Sequence, residues 1–317
     1  MVIKPSYELI TKYRLCLFAI AMLWIFVRHC YFFEGFSFGL FAPITNIGDC
    51  GVDIFLFLSG YGLVYSYKKY DYIGDFYKKR LLRITPTFFL LLCAFGLVDS
   101  FLPKYPWYNI IRPSYWLNCL YIRYWYVLAI IVFYLLFPYI VKTMDKVGGA
   151  KILIASYVLS IAGIVIVKIL NIDNFYQLVV YFARIPVCII GIYFAKYDFW
   201  KNETICLAFL LSLPMVYLLT KDYQRIAYSL FVIPVICFFP FLLEKMTVIT
   251  KGLNVIGKWS LEFYIIHLYL FSRGIFEKIN NYTDSYYFTS LLLLFVTLVL
   301  SYISNILIDR INKIISK

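Results

Sequence analysis

Charge is scarce in this chain, and histidine is scarcer. Of 317 residues only 15% are Asp, Glu, Lys or Arg, and histidine occurs twice. A soluble domain carries about a quarter charged residues, so a water-facing globule is excluded. Acidic groups are fewer than basic ones, 17 against 30, leaving a net charge of +13. In a membrane chain, Lys and Arg collect on cytoplasmic loops and set orientation, so this excess does not require nucleic acid. No C-x-x-C pair occurs among the eight cysteines, which removes the common dithiol and zinc motifs. Most cysteines lie in apolar runs as scattered membrane thiols. A Cys30–Cys50 disulfide on an outer loop is the alternative. No cleavage site of small residues follows the first apolar run, which continues as "CYFFEGFSFG" and should stay as a span. There is no internal repeat.

What is abundant is apolar: 63% of residues, with aromatics at 21% of the chain. A hydrocarbon core of about 30 Å takes roughly 20 apolar residues per helix. Runs of that kind predict about ten spans, near 15–33, 51–67, 84–102, 124–141, 150–168, 175–195, 204–219, 227–243, 259–276 and 285–308. The seventh and eighth are short and carry Pro214, Pro234 and Pro240. The segment 68–83 holds Lys68, Lys69, Lys78, Lys79, Arg80 and Arg83, whereas 34–50 holds Glu34 and Asp49 and no basic residue. By the positive-inside rule both termini are cytoplasmic, which needs an even number of spans. The expectation is one all-α, polytopic membrane domain over 1–317.

Ionisable groups inside such spans are costly and normally face a bundle interior, so each is a candidate for function. They are Arg28, His29, Asp53, Arg184, Glu262 and His267. In "AIAMLWIFVRHCYFF" (19–33), His29 lies ~21 Å above the start of its helix, in the outer half of the bilayer. Asp53 begins the returning helix at the same level. A His29–Asp53 pair is the geometry of general-base chemistry, in which a carboxylate orients an imidazole. The plainer reading makes His29 part of a polar network and Asp53 a helix-start carboxylate. Arg28, about 100° around the helix, is expected to reach the outer interface.

"FYKKRLLRITP" (76–86) is the densest basic stretch. Arg80 and Arg83 share a face if helical and could grip phosphates, or could anchor the chain to anionic lipid. In "GKWSLEFYIIHLYLF" (257–271), Glu262 and His267 are five residues apart, too far around a helix to pair directly. His267 reads as a packed, hydrogen-bonded histidine. Arg184, mid-membrane, should have a carboxylate or phosphate partner.

Six segments in order then resemble the integral-membrane acyltransferase family 3: "YRLCLFAIAMLWIFVRH", "GVDIFLFLSGYGL", "FYKKRLLRITP", "WYVLAIIVFYLLFP", "ARIPVCIIG" and "GKWSLEFYIIH". Two features depart from the pattern. Phe18 stands where the first helix usually carries glycine, and Arg14 lies further from His29 than is common. The resemblance implies a catalytic role for His29 and acyl-CoA contact for Arg80 and Arg83, with Arg14 carried over alongside them. For Asp53 it favours a structural or binding role. Some relatives carry a fused extracytoplasmic domain, and this chain is expected to act without one.

The expected function is O-acyl transfer, and O-acetyl transfer in particular, onto a bacterial surface polysaccharide or its lipid-linked precursor. Acetyl-CoA would be the donor, with no metal. The setting would be the bacterial cytoplasmic membrane, with membrane lipid as surroundings, no nucleic acid, and a homo-oligomer compatible with the reading. His29 could act as general base on the sugar hydroxyl, or itself be acylated and pass the group outward. The rival classes are a glycan or lipid transporter or flippase, and a membrane scaffold or sensor without chemistry.

Overall fold

The computed structural model describes residues 7–34, 38–101, 111–170, 176–198, 202–219 and 221–315, and all regular structure among them is helical. The chain runs α1 (Tyr7–Glu34), a short α2 (Ala42–Asn46), α3 (Cys50–Tyr67), α4 (Ile73–Ser100) and a short α5 (Pro113–Asn118). It continues with α6 (Trp125–Val147), α7 (Gly149–Ile169), α8 (Tyr176–Ala183), α9 (Ile185–Tyr197) and α10 (Asn202–Leu218). The last third is α11 (Lys221–Glu244), α12 (Thr247–Lys258), α13 (Ser260–Ser272), α14 (Ile275–Thr283) and α15 (Tyr286–Ile315).

Eight helical stretches among the described residues are long and apolar enough to cross a membrane, and α8 with α9 supplies one of them. The eighth expected span is not short: α11 runs 24 residues through Pro234 and Pro240. Such prolines are tolerated where neighbouring helices shield the freed carbonyls. The seventh and ninth expected spans are the short ones, α10 with 17 residues and α13 with 13. At 1.5 Å per residue α13 covers only ~20 Å. It is extended by α12, which joins it through Trp259 alone.

Contacts between chain-distant residues sort the helix ends into two groups. At one end Tyr77 bonds to the carbonyl of Leu135, Lys196 pairs with Asp145, and Cys16 bonds to Asn254. At the other, Arg28 faces Asp49, Tyr217 bonds to the carbonyl of Pro43, and Arg273 pairs with Asp99. The basic stretch 68–83 belongs to the first end.

The fold is apolar on its outside as well. Ile154, Leu291 and Phe295 are each about two-thirds exposed, which a lipid-facing surface allows and a soluble one of this extent does not. Inside, helices approach closely where a side chain is missing. A Cβ at Gly191 would stand 2.3 Å from the carbonyl oxygen of Phe57, and one at Gly51 would stand 2.5 Å from that of Ala21. These glycines bring α9 onto α3 and α3 onto α1, the close contact that small residues permit in membranes. Cys30 and Cys50 are both buried and neither forms a disulfide among the described residues, so the disulfide alternative is corrected.

Candidate active site

The two histidines meet. On α1, His29 stands one turn above the buried Ile25, and its Nδ1 lies 2.9 Å from Nε2 of His267 on α13. The ring centroids are 5.0 Å apart with planes only 21° from parallel, so the imidazoles join edge to edge. His267 is buried, and its Nδ1 lies 2.8 Å from the carbonyl oxygen of Phe263 one turn back. Phe26, Phe263, Tyr264 and Phe271 wall the pair with their rings. His267 is therefore packed and hydrogen-bonded as expected, but its partnership with His29 was not foreseen. The only signal in sequence was that the chain has two histidines at all.

The expected His29–Asp53 pair is replaced by a different arrangement. Asp53, fully buried, faces Arg184 with Oδ2 3.7 Å from Nε. Arg184 interrupts the helix between α8 and α9, just before Pro186, which has no N–H to give. Its Nη2 donates to the backbone carbonyl of Asp49 at 3.4 Å, and its guanidinium lies over Trp125 at 4.9 Å. The expected carboxylate partner of Arg184 is thus Asp53.

Arg28 is corrected too. It does not reach outward: it is 7% exposed, with Nε 3.9 Å from Oδ1 of Asp49 and its guanidinium 5.2 Å over Tyr31. Burial would raise the Asp49 carboxyl, but Arg184, Arg28 and Arg225 outweigh it and hold the group below the ordinary carboxylate range. Asp49 is also the carboxylate near enough for its charge to act on His29. In sequence it read only as a loop acid.

At the opposite end three arginines converge. Arg80 and Arg83 are helical on α4 and face Arg14 of α1. A cavity of about 230 Å³ opens between Arg14, Lys69, Lys79 and Arg80. A second, of about 70 Å³, shares Arg14 as its wall and is closed by Arg83, Tyr126, Ile25 and Tyr264. Ile25 lies one turn below His29, and Tyr264 lies one turn below His267, so the smaller cavity ends under the histidine pair. Nε of Arg14 and Nε of Arg80 are buried with no hydrogen-bond partner among the described residues. Such nitrogens suit an anion that brings its own oxygens.

The remaining polar groups hold helices together. Glu262 accepts a 3.1 Å bond from Asn305 and so ties α13 to α15. Asp99, buried at the end of α4, accepts from Tyr269 at 2.7 Å and pairs with Arg273. Asp99 falls within the expected apolar run 84–102, although an intramembrane carboxylate is itself a signal.

The chain matches the family model described as an acyltransferase domain over residues 19–310. No curated protein and no solved structure matches it. The matched region contains His29, Asp53, Arg80, Arg83, Arg184, Glu262 and His267 and leaves out only Arg14 among the site candidates. With the helical architecture and the histidine pair already in view, that match is decisive: the chain belongs to acyltransferase family 3 and is a multi-pass membrane acyltransferase.

Proposed function

We propose that the chain moves an acyl group, acetyl in the first instance, from acyl-CoA to a hydroxyl of a bacterial surface polysaccharide or its lipid-linked precursor. The membrane is the bacterial cytoplasmic one, with both termini and the basic end in the cytoplasm, where acyl-CoA is made. One observation carries the reading: two cavities share Arg14 in their lining, one bounded by Lys69, Lys79 and Arg80 and the other by Ile25 and Tyr264, one turn below His29 and His267. The larger cavity offers cations to the phosphates of CoA, as charge-assisted hydrogen bonding favours. The smaller one, of about 70 Å³, favours a short acyl group near the histidines.

In this reading His29 takes the proton of the acceptor hydroxyl while the hydroxyl oxygen attacks the thioester carbonyl. The C–S bond breaks, CoA leaves as thiolate, and the proton on His29 is returned to that sulfur. The products are the O-acyl sugar and free CoA thiol.

The test uses membrane vesicles from a strain lacking its own copy and supplied with this chain and radiolabelled acetyl-CoA. Label moving into alkali-labile glycan ester, with release of thiol, supports the proposal. A glycan or lipid transporter leaves the thioester intact.

A further inference from the structure

We infer that His267 is a positioning residue that fixes the tautomer of His29. The inference rests on the proposed role of His29 as base and identifies which of its two nitrogens performs it. A backbone carbonyl can only accept a hydrogen bond. The 2.8 Å contact of His267 Nδ1 with the carbonyl oxygen of Phe263 therefore puts the proton of neutral His267 on Nδ1. Its Nε2 is then a lone-pair acceptor. The 2.9 Å contact from His29 Nδ1 to that same Nε2 requires the donor to be His29, so the proton of His29 sits on Nδ1. Nε2 of His29 carries the lone pair and is the base.

The chain of bonds has one direction, from His29 through His267 to a helix carbonyl. When Nε2 of His29 takes the hydroxyl proton, the resulting imidazolium still donates through Nδ1 to His267. His267 thus does with a neutral ring what the carboxylate does in a serine-hydrolase triad: it orients the base and accepts from its cation. A neutral partner suits this site, which is walled by Phe26, Phe263 and Phe271, because a second carboxylate there would be costly to bury. The geometry is held from both sides. Phe263 and His267 are one turn apart on α13, and Tyr269 and Arg273 pin the far end of that helix to Asp99.

Two readouts test this on the full-length protein. The first is nitrogen NMR after labelling histidine alone, which is clean because the chain holds only two histidines. His29 should carry its proton on Nδ1 in the wild type and lose that preference in His267→Leu. A wild-type His29 protonated on Nε2 overturns the inference. The second is turnover of radiolabelled acetyl-CoA in the same vesicles. A glutamine can accept from His29 and donate to the Phe263 carbonyl, so His267→Gln should keep kcat within about tenfold of wild type. His267→Leu preserves packing but not polarity and should lose roughly 100-fold in kcat. Its KM for acetyl-CoA should move by no more than about twofold, and adding His29→Asn should cost little more. Normal turnover in His267→Leu, or losses that multiply in the double variant, overturns the inference. If NMR gives the assigned tautomer but acetyl-CoA stays intact in the wild type, the proposed reaction falls and the tautomer assignment stands.

Discussion

Asp53 and Arg184 face each other at the centre of the bundle, Oδ2 to Nε at 3.7 Å, the carboxylate fully buried and the arginine 4% exposed. Breaking such a pair by removing one partner strands a buried charge, typically at a cost of about 3–5 kcal/mol. Asp53→Asn should therefore lower the unfolding midpoint in detergent strongly, and Asp53→Asn with Arg184→Gln should recover part of the loss. A single variant that melts like wild type would show that Asp53 contributes through something other than this pair.

Arg28 gives a prediction that depends on pH. Asp49 is held below the ordinary carboxylate range by Arg184, Arg28 and Arg225, against the upward push of burial. A depressed carboxyl contributes stability that is fully present above its unfolded value, near pH ~4, and is lost as pH falls through its folded value. Arg28→Gln removes one of the three cations and brings the folded value closer to the unfolded one, so the variant should be less stable at neutral pH and should lose less stability than wild type on acidification. Melting curves of wild type and variant between neutral and acid pH check this. Superimposable pH profiles would contradict it. Arg28→Lys should also be less stable, since a compact ammonium does not replace a guanidinium stacked over Tyr31.

The donor side is tested by binding. Arg14→Gln, Arg80→Gln and Arg83→Gln each remove a cation facing the two cavities. Hydrogen bonds to charged groups are worth about 1.5–3 kcal/mol, so each should weaken acyl-CoA binding by roughly tenfold or more. Lys68 is exposed and lines neither cavity, so Lys68→Gln is the control. Lys69 is not a control, because it lines the larger cavity. Unchanged acyl-CoA affinity in all three arginine variants would leave the basic stretch as a lipid anchor.

Orientation is tested at Leu40, which is 98% exposed beside α2. In a variant with all eight native cysteines replaced, Leu40→Cys should react with an impermeant thiol reagent on intact cells. Reaction only after permeabilisation would reverse the proposed orientation.

Much of the architecture was legible because a membrane helix is written locally, as a run of apolar residues long enough for the hydrocarbon core. Arg80 and Arg83 were legible for the same reason: their spacing sets a shared helical face, and α4 keeps it. The need of Arg184 for a carboxylate followed from burial alone. What was not legible lies between helices. His29 and His267 are 238 positions apart, and Asp99 and Arg273 are 174 apart, so no local pattern couples either pair. The expected His29–Asp53 pair failed because neighbouring helices fix the level of two side chains and leave their rotation open. Asp53 turns toward α9, and His29 turns toward α13. Arg28 was misjudged on the same ground, since Asp49 draws it inward.

The most direct test of the account is turnover per folded molecule in His29→Asn, measured beside acyl-CoA binding in the same preparation. Asparagine keeps some hydrogen bonding at that position but offers no imidazole nitrogen to take a proton. The account predicts that binding stays near wild type while transfer falls by at least the ~100-fold expected for a lost general base. Near-normal transfer in a well-folded His29→Asn protein would contradict it.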